Sequence, residues 1–324
     1  MRKNSLKSIN LINKQILFID GLSRSGKSLL GPIVGSFKKT YPMQHQNLID
    51  NLLQLLQLNL VNANVCKSLI NIFLNESIYY LNLSRGVNFR PTDNSSVLKD
   101  RNYKLFIKNL SRKEGDHVID QIKDEKKLPI YMSHDLLSVI DLLNKIIPNF
   151  KIIHILRNPI DNIYSYYSKY NKRYKGKKYD INNPRFFSLA FEEKKRLIPY
   201  YATNNSNLFL KLNNLEKATY YYLKIIEKSQ RKLVNFKNKN KIKIIRLDDL
   251  VQDPKKIINQ LERYLNIKTS PFTKIACKIE KIPRLIDHKI RNEKFIFIKK
   301  NINKKLFKKL EKKLFLYEKN KLYI

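Results

Sequence analysis

One short stretch, residues 15–30, constrains the fold of this chain more than any other. Residues 16–19 form an apolar run of the length expected for a buried strand, and a helical pattern begins at Leu29. Between them, Gly21 to Ser28 spells G-x-x-x-x-G-K-S. The glycines of such a loop let the backbone fold around an anion, so that N–H groups and a helix N-terminus point at it. The context favours a phosphate-binding loop over an ordinary strand-to-helix turn.

The residues of this loop are the first candidates for a binding site. Arg24 and Lys27 add positive charge to the backbone cradle. The chain contains only 7 Gly, and Gly21, Gly26, Gly31 and Gly35 all fall in or next to this stretch, which argues against a chance match. The residues expected to bind the ligand are Gly21, Ser23, Arg24, Ser25, Gly26, Lys27 and Ser28.

The loop alone leaves more than one reaction open. Its full pattern suggests ATP or GTP and resembles the loop of adenylylsulfate kinase. Arg24, Ser25 and Gly26, followed two places on by the hydroxyl of Ser28, also resemble the 5′-phosphosulfate loop of sulfotransferases. That loop usually continues with Thr-Thr, where this chain has Lys27 and Ser28. The rest of the chain has to distinguish these options.

Composition sets broad bounds on the protein. A length of 324 residues with 43% apolar residues predicts one α/β domain with excursions, or at most two domains. Lys and Arg number 65 against 27 acids, a formal charge of +38. Such a charge attracts nucleic acid, anionic membranes, acidic glycans or nucleotides. An AT-rich genome would also enrich Lys, without any binding role.

Targeting signals and cysteines point to the cytoplasm. No apolar run reaches membrane-spanning length, and residues 1–13 lack the apolar centre of a signal peptide. Cys66 and Cys277 form neither a metal-binding pattern nor a disulfide framework. We therefore expect two plain thiols in a reducing compartment, with no transmembrane segment.

Strand and helix patterns alternate along the chain. Beyond the first strand, strands are predicted at 128–132, 151–156 and 241–245. Helices are predicted at 29–39, 46–60, 66–83, 136–147, 184–230 with a break near 203–206, and 254–265. A turn cluster is predicted at 90–96, a Lys/Tyr-rich linker at 170–180 and a basic amphipathic helix from residue 299. Alternation of this kind predicts an α/β fold with a central parallel sheet flanked by helices. Ligands of such sheets bind beyond the strand carboxyl ends, where Gly21, His134, Arg157 and Asp248 would meet.

A second motif follows the clearest strand. Residues 152–167 read I-I-H-I-L-R-N-P-I-D-N-I-Y-S-Y-Y, which resembles the 3′-phosphate motif of sulfotransferases. An Arg at a strand end offers a planar fork for phosphate, and burying its charge without an anionic partner is costly. The resemblance implies that Arg157 and Ser165 bind the 3′-phosphate of the cosubstrate. The alternative is that Arg157 pairs with Asp161 as a structural clamp.

A third match lies at residues 244–265. It resembles the late segment of the same family: a strand, an acidic-Leu pair, Asp-Pro and a helix that ends in aromatic-Leu. Asp253-Pro254 is a helix-start signal. We expect Asp248 and Asp249 to support the sheet, whereas in an ATPase one of them would bind a metal ion.

The candidate catalytic base is His134. It lies 23 residues before Arg157, and cytosolic-type sulfotransferases carry their base in a Lys-Thr-His segment at this spacing. Met132 stands where that Lys would be, so Lys27 would have to supply the charge. Two alternatives remain open. His134 could be a hydrogen-bonding residue at a helix entry, and His45 is a rival base.

The resemblance covers residues 16–40 and 128–267 and implies a sulfotransferase that uses 3′-phosphoadenosine 5′-phosphosulfate (PAPS). It implies the three-layer P-loop-like α/β fold, with His134, Lys27 and Arg24 as catalytic residues and no metal. The acceptor would be a hydroxyl or amine of a carbohydrate or small molecule, an acidic one included. We predict one domain over 1–300, in which helical insertions at 43–127 and 171–235 form the acceptor site and a lid. A basic helix would follow at 301–324.

Three other functions remain compatible with the sequence. Lys27 and Ser28 favour an ATP-dependent P-loop kinase, which the Arg157 motif disfavours. Met132 makes a nucleotide-binding pseudoenzyme conceivable. Net charge is the only feature that favours a nucleic-acid-binding protein, since the aromatic residues match no nucleic-acid-binding module. We therefore expect no specific nucleic-acid partner, and the sequence predicts no oligomeric state.

Overall fold

The protein is described from a computed structural model that covers residues 6–93, 96–173, 188–193 and 195–323. These ranges contain seven strands: β1 Ile16–Asp20, β2 Gln44–His45, β3 Ile130–Met132, β4 Phe150–Leu156, β5 Ala190–Glu193, β6 Arg196–Pro199 and β7 Ile242–Arg246. The helices of the amino-terminal half are α1 Lys27–Gly35, α2 Leu48–Gln57, α3 Ala63–Asn82, α4 Tyr103–Lys108, α5 Asp116–Glu125, α6 Ile140–Ile146 and α7 Pro159–Arg173. Those of the other half are α8 Ser206–Lys211, α9 Asn214–Asn235, α10 Leu247–Gln252, α11 Pro254–Leu265, α12 Phe272–Ile279, α13 His288–Asn301 and α14 Lys304–Glu318.

The predicted α/β architecture is confirmed by a five-stranded parallel sheet in the order β2-β3-β1-β4-β7. All of β1 is buried, because its alternate side chains face helices on opposite sides of the sheet. Ile16 and Phe18 pack against α2, α3 and α6, whereas Leu17 and Ile19 pack against α1 and α11. A strand covered on both faces reads as a continuous apolar run, which is why this one was visible in the sequence.

The order of the strands determines what meets at the carboxyl end of the sheet. β1 is central, with Ile19 opposite Met132 of β3 and Asp20 opposite His154 of β4. Because all these strands are parallel, the chain segments that follow them leave the sheet at the same edge. The loop after β1 therefore lies between the turn after β3 and the start of α7.

Several predicted boundaries are wrong in detail. The first helix was expected at 29–39 but spans Lys27–Gly35. The Thr40 hydroxyl, 2.9 Å from the Gly35 carbonyl, takes over a bond that another turn of helix would make. The helix expected from residue 136 begins with a 3₁₀ turn, Leu136–Val139.

The region expected as helix over 184–230 contains an antiparallel hairpin of β5 and β6 before α8 and α9. The region expected as a helical insertion at 43–127 also supplies β2, which pairs with β3. The linker expected at 170–180 begins inside α7, which runs to Arg173. Residues 174–187, which hold the rest of that linker and the start of the expected helix, lie outside the described residues. So do residues 94 and 95 of the predicted turn cluster.

The predicted basic helix of the tail is α14. Its buried residues Phe307, Leu310 and Tyr317 join a cluster with α7, α9 and α13, whereas most of its lysines are exposed. Across the described ranges, none of the helices combines the length and apolar character that a bilayer crossing requires.

Candidate active site

The loop between β1 and α1 depends on two glycines with positive φ. Gly21 has a φ of 141° and Gly26, the N-cap of α1, a φ of 110°. A Cβ on Gly21 would lie 2.5 Å from the carbonyl oxygen of Ile155 in β4. A Cβ on Gly26 would lie 2.8 Å from Leu247 at the start of α10. Only glycine allows both this conformation and this close packing. The N-terminus of α1, with its positive dipole end, is thereby held at the rim of the sheet.

Lys27 bends back over the start of this loop. Its buried ammonium donates to the carbonyl of Gly21 and, at 2.8 Å, to that of Leu22. Burial lowers the pKa of Lys27 to about 8, although Asp20 opposes the shift. A lysine that is held by loop carbonyls and not by a carboxylate is free to exchange them for an anionic ligand.

A phosphate-like group fits the loop. The hydroxyl of Ser25 is buried and has no hydrogen-bond partner among the residues that the structure describes. A buried hydroxyl usually has a hydrogen-bond partner, so a ligand that accepts a hydrogen bond from Ser25 would supply the partner that is missing. Arg24 and Ser28 are exposed on the same turn, where they can contact a ligand without first breaking a buried contact.

The two motifs that were predicted to bind phosphate contact each other directly. Arg24 Nε donates to Ser165 Oγ at 3.1 Å, and Arg157 Nη1 donates to the carbonyl of Arg24 at 2.9 Å. Asn162 adds a bond from Nδ2 to the carbonyl of Ser23 at 3.2 Å. The structure therefore gathers the loop, the arginine at the end of β4 and the serine of α7 into one site.

Asp161 does not clamp Arg157. No carboxylate among the described residues lies within ion-pair distance of Arg157. Asp161 is paired instead with Arg291 at 2.7 Å and with Lys294 at 2.7 Å, both from α13. Burial opposes ionisation of Asp161, but Lys294 and Arg291 hold its pKa below the ordinary value. The guanidinium of Arg157 thus keeps its charge without a carboxylate partner.

Arg291 and Lys294 were not identified by the sequence analysis, because they lie in a basic tail without a motif. Arg291 also reaches Asp248 at 3.0 Å, so it links α13 to both α7 and α10. Asp249 lies at the weaker distance of 3.9 Å from Arg246. These contacts are of the kind expected for residues that support the sheet.

Both candidate bases lie at the other side of the loop. His134 follows β3, with 27% of its side chain exposed and its Nδ1 3.7 Å from Asp50 Oδ2. Burial and the charge of Lys27 lower the pKa of His134 to about 3. His45 ends β2, next to β3, and burial followed by His134 and Lys27 lowers its pKa too. Both imidazoles are therefore neutral at pH 7, and either could accept a proton.

Three buried aspartates surround these bases, and the sequence analysis singled out none of them as site residues. Asp50 accepts the backbone N–H of His134 at 2.9 Å. Asp135 accepts the hydroxyls of Tyr200 and Tyr221, the latter at 3.2 Å. Asp20 ends β1. Its position directly before Gly21, at the end of an apolar strand, was the only signal in the sequence for any of the three.

A cavity of about 360 Å³ opens beside His45. It lies between the end of β2 and one face of α3, and both polar and apolar side chains line it. The lining includes His45, Phe73, Glu76, Tyr80 and Arg85. Its size suits a small ligand. In the described part of the chain, no three His, Cys, Asp or Glu side chains are grouped so as to hold a metal ion.

Solved structures of similar shape are sulfotransferases, at low identity. A sulfotransferase domain from the curacin biosynthetic pathway is 14% identical, with a TM-score of 0.41 over 82% of this chain and 77% of that one. The sulfotransferase from Alicyclobacillus acidocaldarius is also 14% identical, with a TM-score of 0.40 over 92% and 94%. Mouse sulfotransferase SULT7A1 complexed with PAP is 13% identical, with a TM-score of 0.36 over 90% and 69%. No curated protein sequence matches the chain.

Their TM-scores are too low to assign this chain to a family. The family is instead shown by the amino-acid sequence. Residues 14–305 match the Sulfotransferase domain family, and the chain has 324 residues. The match includes β1 and its loop, the Arg157 motif, and the strand and helix of the third motif. Because it spans most of the chain, this protein belongs to the sulfotransferase family, and is a transferase with an α/β fold.

Proposed function

We propose that this sulfotransferase takes its sulfuryl group from PAPS and passes it to a hydroxyl or amine. The observation that carries the proposal is the contact between the two phosphate motifs. Through Arg24, the loop is bonded to both Ser165 and Arg157. A ligand with phosphate-like groups at its 5′ and 3′ positions needs two such clusters close together. A nucleoside triphosphate needs only the first.

The loop would hold the 5′-phosphosulfate of PAPS, and Arg157 with Ser165 its 3′-phosphate. PAPS supplies the sulfuryl group and leaves as the 3′,5′-bisphosphate. Lys27, Arg24 and the N-terminus of α1 place positive charge where negative charge develops on the leaving phosphate. Lys27 would here take a role that belongs to metal ions in kinases, so we propose that no metal is needed.

His134 is the proposed base. It is neutral at pH 7, as a base must be, but a pKa near 3 makes it a weak one. Part of that lowering comes from the charge of Lys27. An anion bound at the loop would offset this charge and raise the pKa of His134, so that it becomes a stronger base when the cosubstrate is present.

The cavity beside His45 is the proposed acceptor site, because it opens at the same rim as the loop. A volume of about 360 Å³ fits a small molecule or a sugar unit. We also propose a cytoplasmic location, on the ground that Cys66 and Cys277 are both free thiols.

The decisive experiment is a binding titration followed by transfer of labelled sulfate. We expect the 3′,5′-bisphosphate product to bind equally well with and without EDTA, and more tightly than ATP. At a ligand concentration of about 100 times Kd it should stabilise the fold by about 2.7 kcal/mol, which a melting curve detects. Labelled PAPS is then offered to a panel of sugars, phenols, amines and tyrosine peptides.

A kinase would give the opposite pattern. In a kinase, Lys27 would contact β- and γ-phosphates and Ser28 would hold Mg²⁺. Stabilisation by ATP with Mg²⁺, and none by the bisphosphate, would therefore refute the proposal. Binding of the bisphosphate without transfer to any acceptor in the panel would instead favour a pseudoenzyme.

A further inference from the structure

Asp20 is not among the site residues predicted from the sequence. Its carboxylate nevertheless lies directly beneath the predicted site. Asp20 is the last residue of β1 and precedes Gly21 of the loop. Its exposure is 0%. An ionised carboxylate in such a position is costly unless several donors stabilise it, so the partners of Asp20 reveal its role.

Three donors from two different elements converge on this carboxylate. Ser133 Oγ donates to Oδ1 at 3.0 Å, and the N–H of Leu136 donates to the same oxygen at 3.2 Å. His154 donates through Nδ1 to Oδ2 at 2.8 Å. Ser133 and Leu136 flank His134 in the turn after β3, and His154 lies on β4. Asp20 therefore joins the central strand to both of its neighbours.

The ammonium of Lys27 is bonded to the carbonyl of Gly21, the residue that follows Asp20, and it interacts electrostatically with the Asp20 carboxylate. The charged or titratable groups that act on Lys27 are Asp20, Asp50, Asp135 and Arg24, and Lys27 acts in turn on His134.

The pKa of Asp20 is shifted in the opposite direction to those of Asp50 and Asp135. Burial raises the pKa of both Asp50 and Asp135. Burial acts on Asp20 in the same direction, but the bond from His154 and the charges of His154 and Lys27 outweigh it and hold the pKa of Asp20 below its ordinary value. Of the three aspartates that raise the pKa of Lys27, Asp20 has the largest effect.

We infer that Asp20 is a positioning residue, whose carboxylate keeps the Lys27 ammonium charged under the loop and fixes the turn that carries His134. The inference rests on the proposed function, because it assigns Lys27 to the cosubstrate and His134 to the proton. One buried side chain would then couple the charge of the loop to the placement of the base. Lys27 is the residue at which this loop departs from the family pattern, and Asp20 would be the counter-charge that the departure requires.

The test is the pH dependence of bisphosphate binding in wild type and in Asp20→Asn. The amide has the shape of the carboxylate, and its oxygen can still accept from Ser133 and Leu136. An anion binds best while Lys27 is protonated, so wild-type affinity should fall as the pH rises through about 8. In Asp20→Asn the fall should begin about 1–3 pH units lower, because a neighbouring opposite charge shifts a pKa by that amount. Calorimetric titrations between about pH 4 and pH 9 cover this window.

Two further variants separate charge from placement. Ser133→Ala removes one donor and keeps the carboxylate, so the pH midpoint should stay in place while kcat falls about 5-fold, the effect of one ordinary hydrogen bond. His154→Leu also keeps the carboxylate, but it removes the hydrogen bond that lowers the pKa of Asp20 most, so the midpoint should fall, by less than in Asp20→Asn. His154→Gln keeps an N–H donor and should restore the wild-type midpoint. If Asp20→Asn does not fold, the His154 pair provides the same test.

A purely structural Asp20 would give a different result. Asp20→Asn would then lower the melting temperature and leave the midpoint of bisphosphate binding at its wild-type pH, which overturns the inference and leaves the proposed function intact. A wild-type protein that binds no bisphosphate at any pH would overturn the proposed function first, and this inference with it.

Discussion

The two neighbours of β1 carry sites of different character. On the β4 side the contacts are short: His154 lies 2.8 Å from Asp20, and Arg157 is 2.9 Å from the carbonyl of Arg24. On the β3 side the backbone is also held closely, since the N–H of His134 is 2.9 Å from Asp50, but the imidazole Nδ1 of His134 is 3.7 Å from the same carboxylate and a cavity opens nearby. We interpret the β4 side as the part that fixes a cosubstrate. The β3 side leaves room for a second molecule.

The largest expected effect tests the β3 side. His134→Ala should lower kcat by about 10²–10⁴-fold, the range for loss of a general base. Bisphosphate affinity should stay close to wild type, since the loop and Arg157 lie on the other side. Steady-state kinetics with PAPS and calorimetric titration measure the two quantities separately.

His45→Ala is the matched control, because His45 lies on the same rim and is also neutral. We expect a much smaller effect on kcat. If His45→Ala removes the activity and His134→Ala does not, then the base is on β2. Proton transfer would then take place at the cavity beside His45 and not at the turn after β3.

The next effect tests the β4 side. Arg157→Ala removes charge-assisted hydrogen bonds worth about 1.5–3 kcal/mol, so bisphosphate affinity should fall about 10- to 150-fold. Binding of 5′-AMP, which lacks the 3′-phosphate, should not change. Arg263→Ala, at an exposed arginine of α11, controls for the loss of one positive charge. Equal weakening of both nucleotides would contradict the assignment of the 3′-phosphate to Arg157.

A smaller effect should appear in stability against pH. His134 has a pKa of about 3 in the folded protein and about 6.5 when unfolded. Between these values the unfolded state binds more protons, so stability is fully present above about pH 6.5 and is lost as the pH falls. At pH 5 the loss should reach at most about 2 kcal/mol. Because 27% of the His134 side chain is exposed, we expect the loss of stability to be smaller than this maximum.

Urea unfolding of wild type and His134→Gln at pH 7 and pH 5 measures this loss. Wild type should lose more stability than the variant over this interval. His117→Gln, at an exposed position of α5, controls for the removal of a histidine as such. Parallel losses in wild type and His134→Gln would mean that His134 is not held neutral in the folded protein.

The smallest effect is expected beyond β4, in α10, which follows the edge strand β7. Asp249 is half exposed and 3.9 Å from Arg246, so Asp249→Asn should change stability by no more than about 0.5 kcal/mol. Turnover should be unchanged. A collapse of activity that depends on Mg²⁺ would show instead that Asp249 holds a metal, and would favour the kinase.

Local patterns in the sequence predicted one side of this comparison better than the other. The loop and the Arg157 motif each lie within a few residues of a buried strand, so their spacing alone indicated their position. The β3 side depends on side chains such as Asp50 and Tyr221, which come from segments without any recognisable motif. The hairpin of β5 and β6 was missed for a related reason, since its residues do not alternate clearly between apolar and polar.

The sequence by itself determined the α/β class, the strand-loop-helix at the amino terminus and the arginine at the end of β4. These features are local, because glycine conformations and apolar periodicity act over a few residues. Only the tertiary structure decided that Arg24 meets Ser165, which is 141 residues away, and that Asp161 pairs with Arg291 and not with Arg157. It also decided that the pKa of Asp20 is lowered, whereas those of Asp50 and Asp135 are raised. Such outcomes depend on strand order and burial, because the free energy of a charge is set by the groups packed around it.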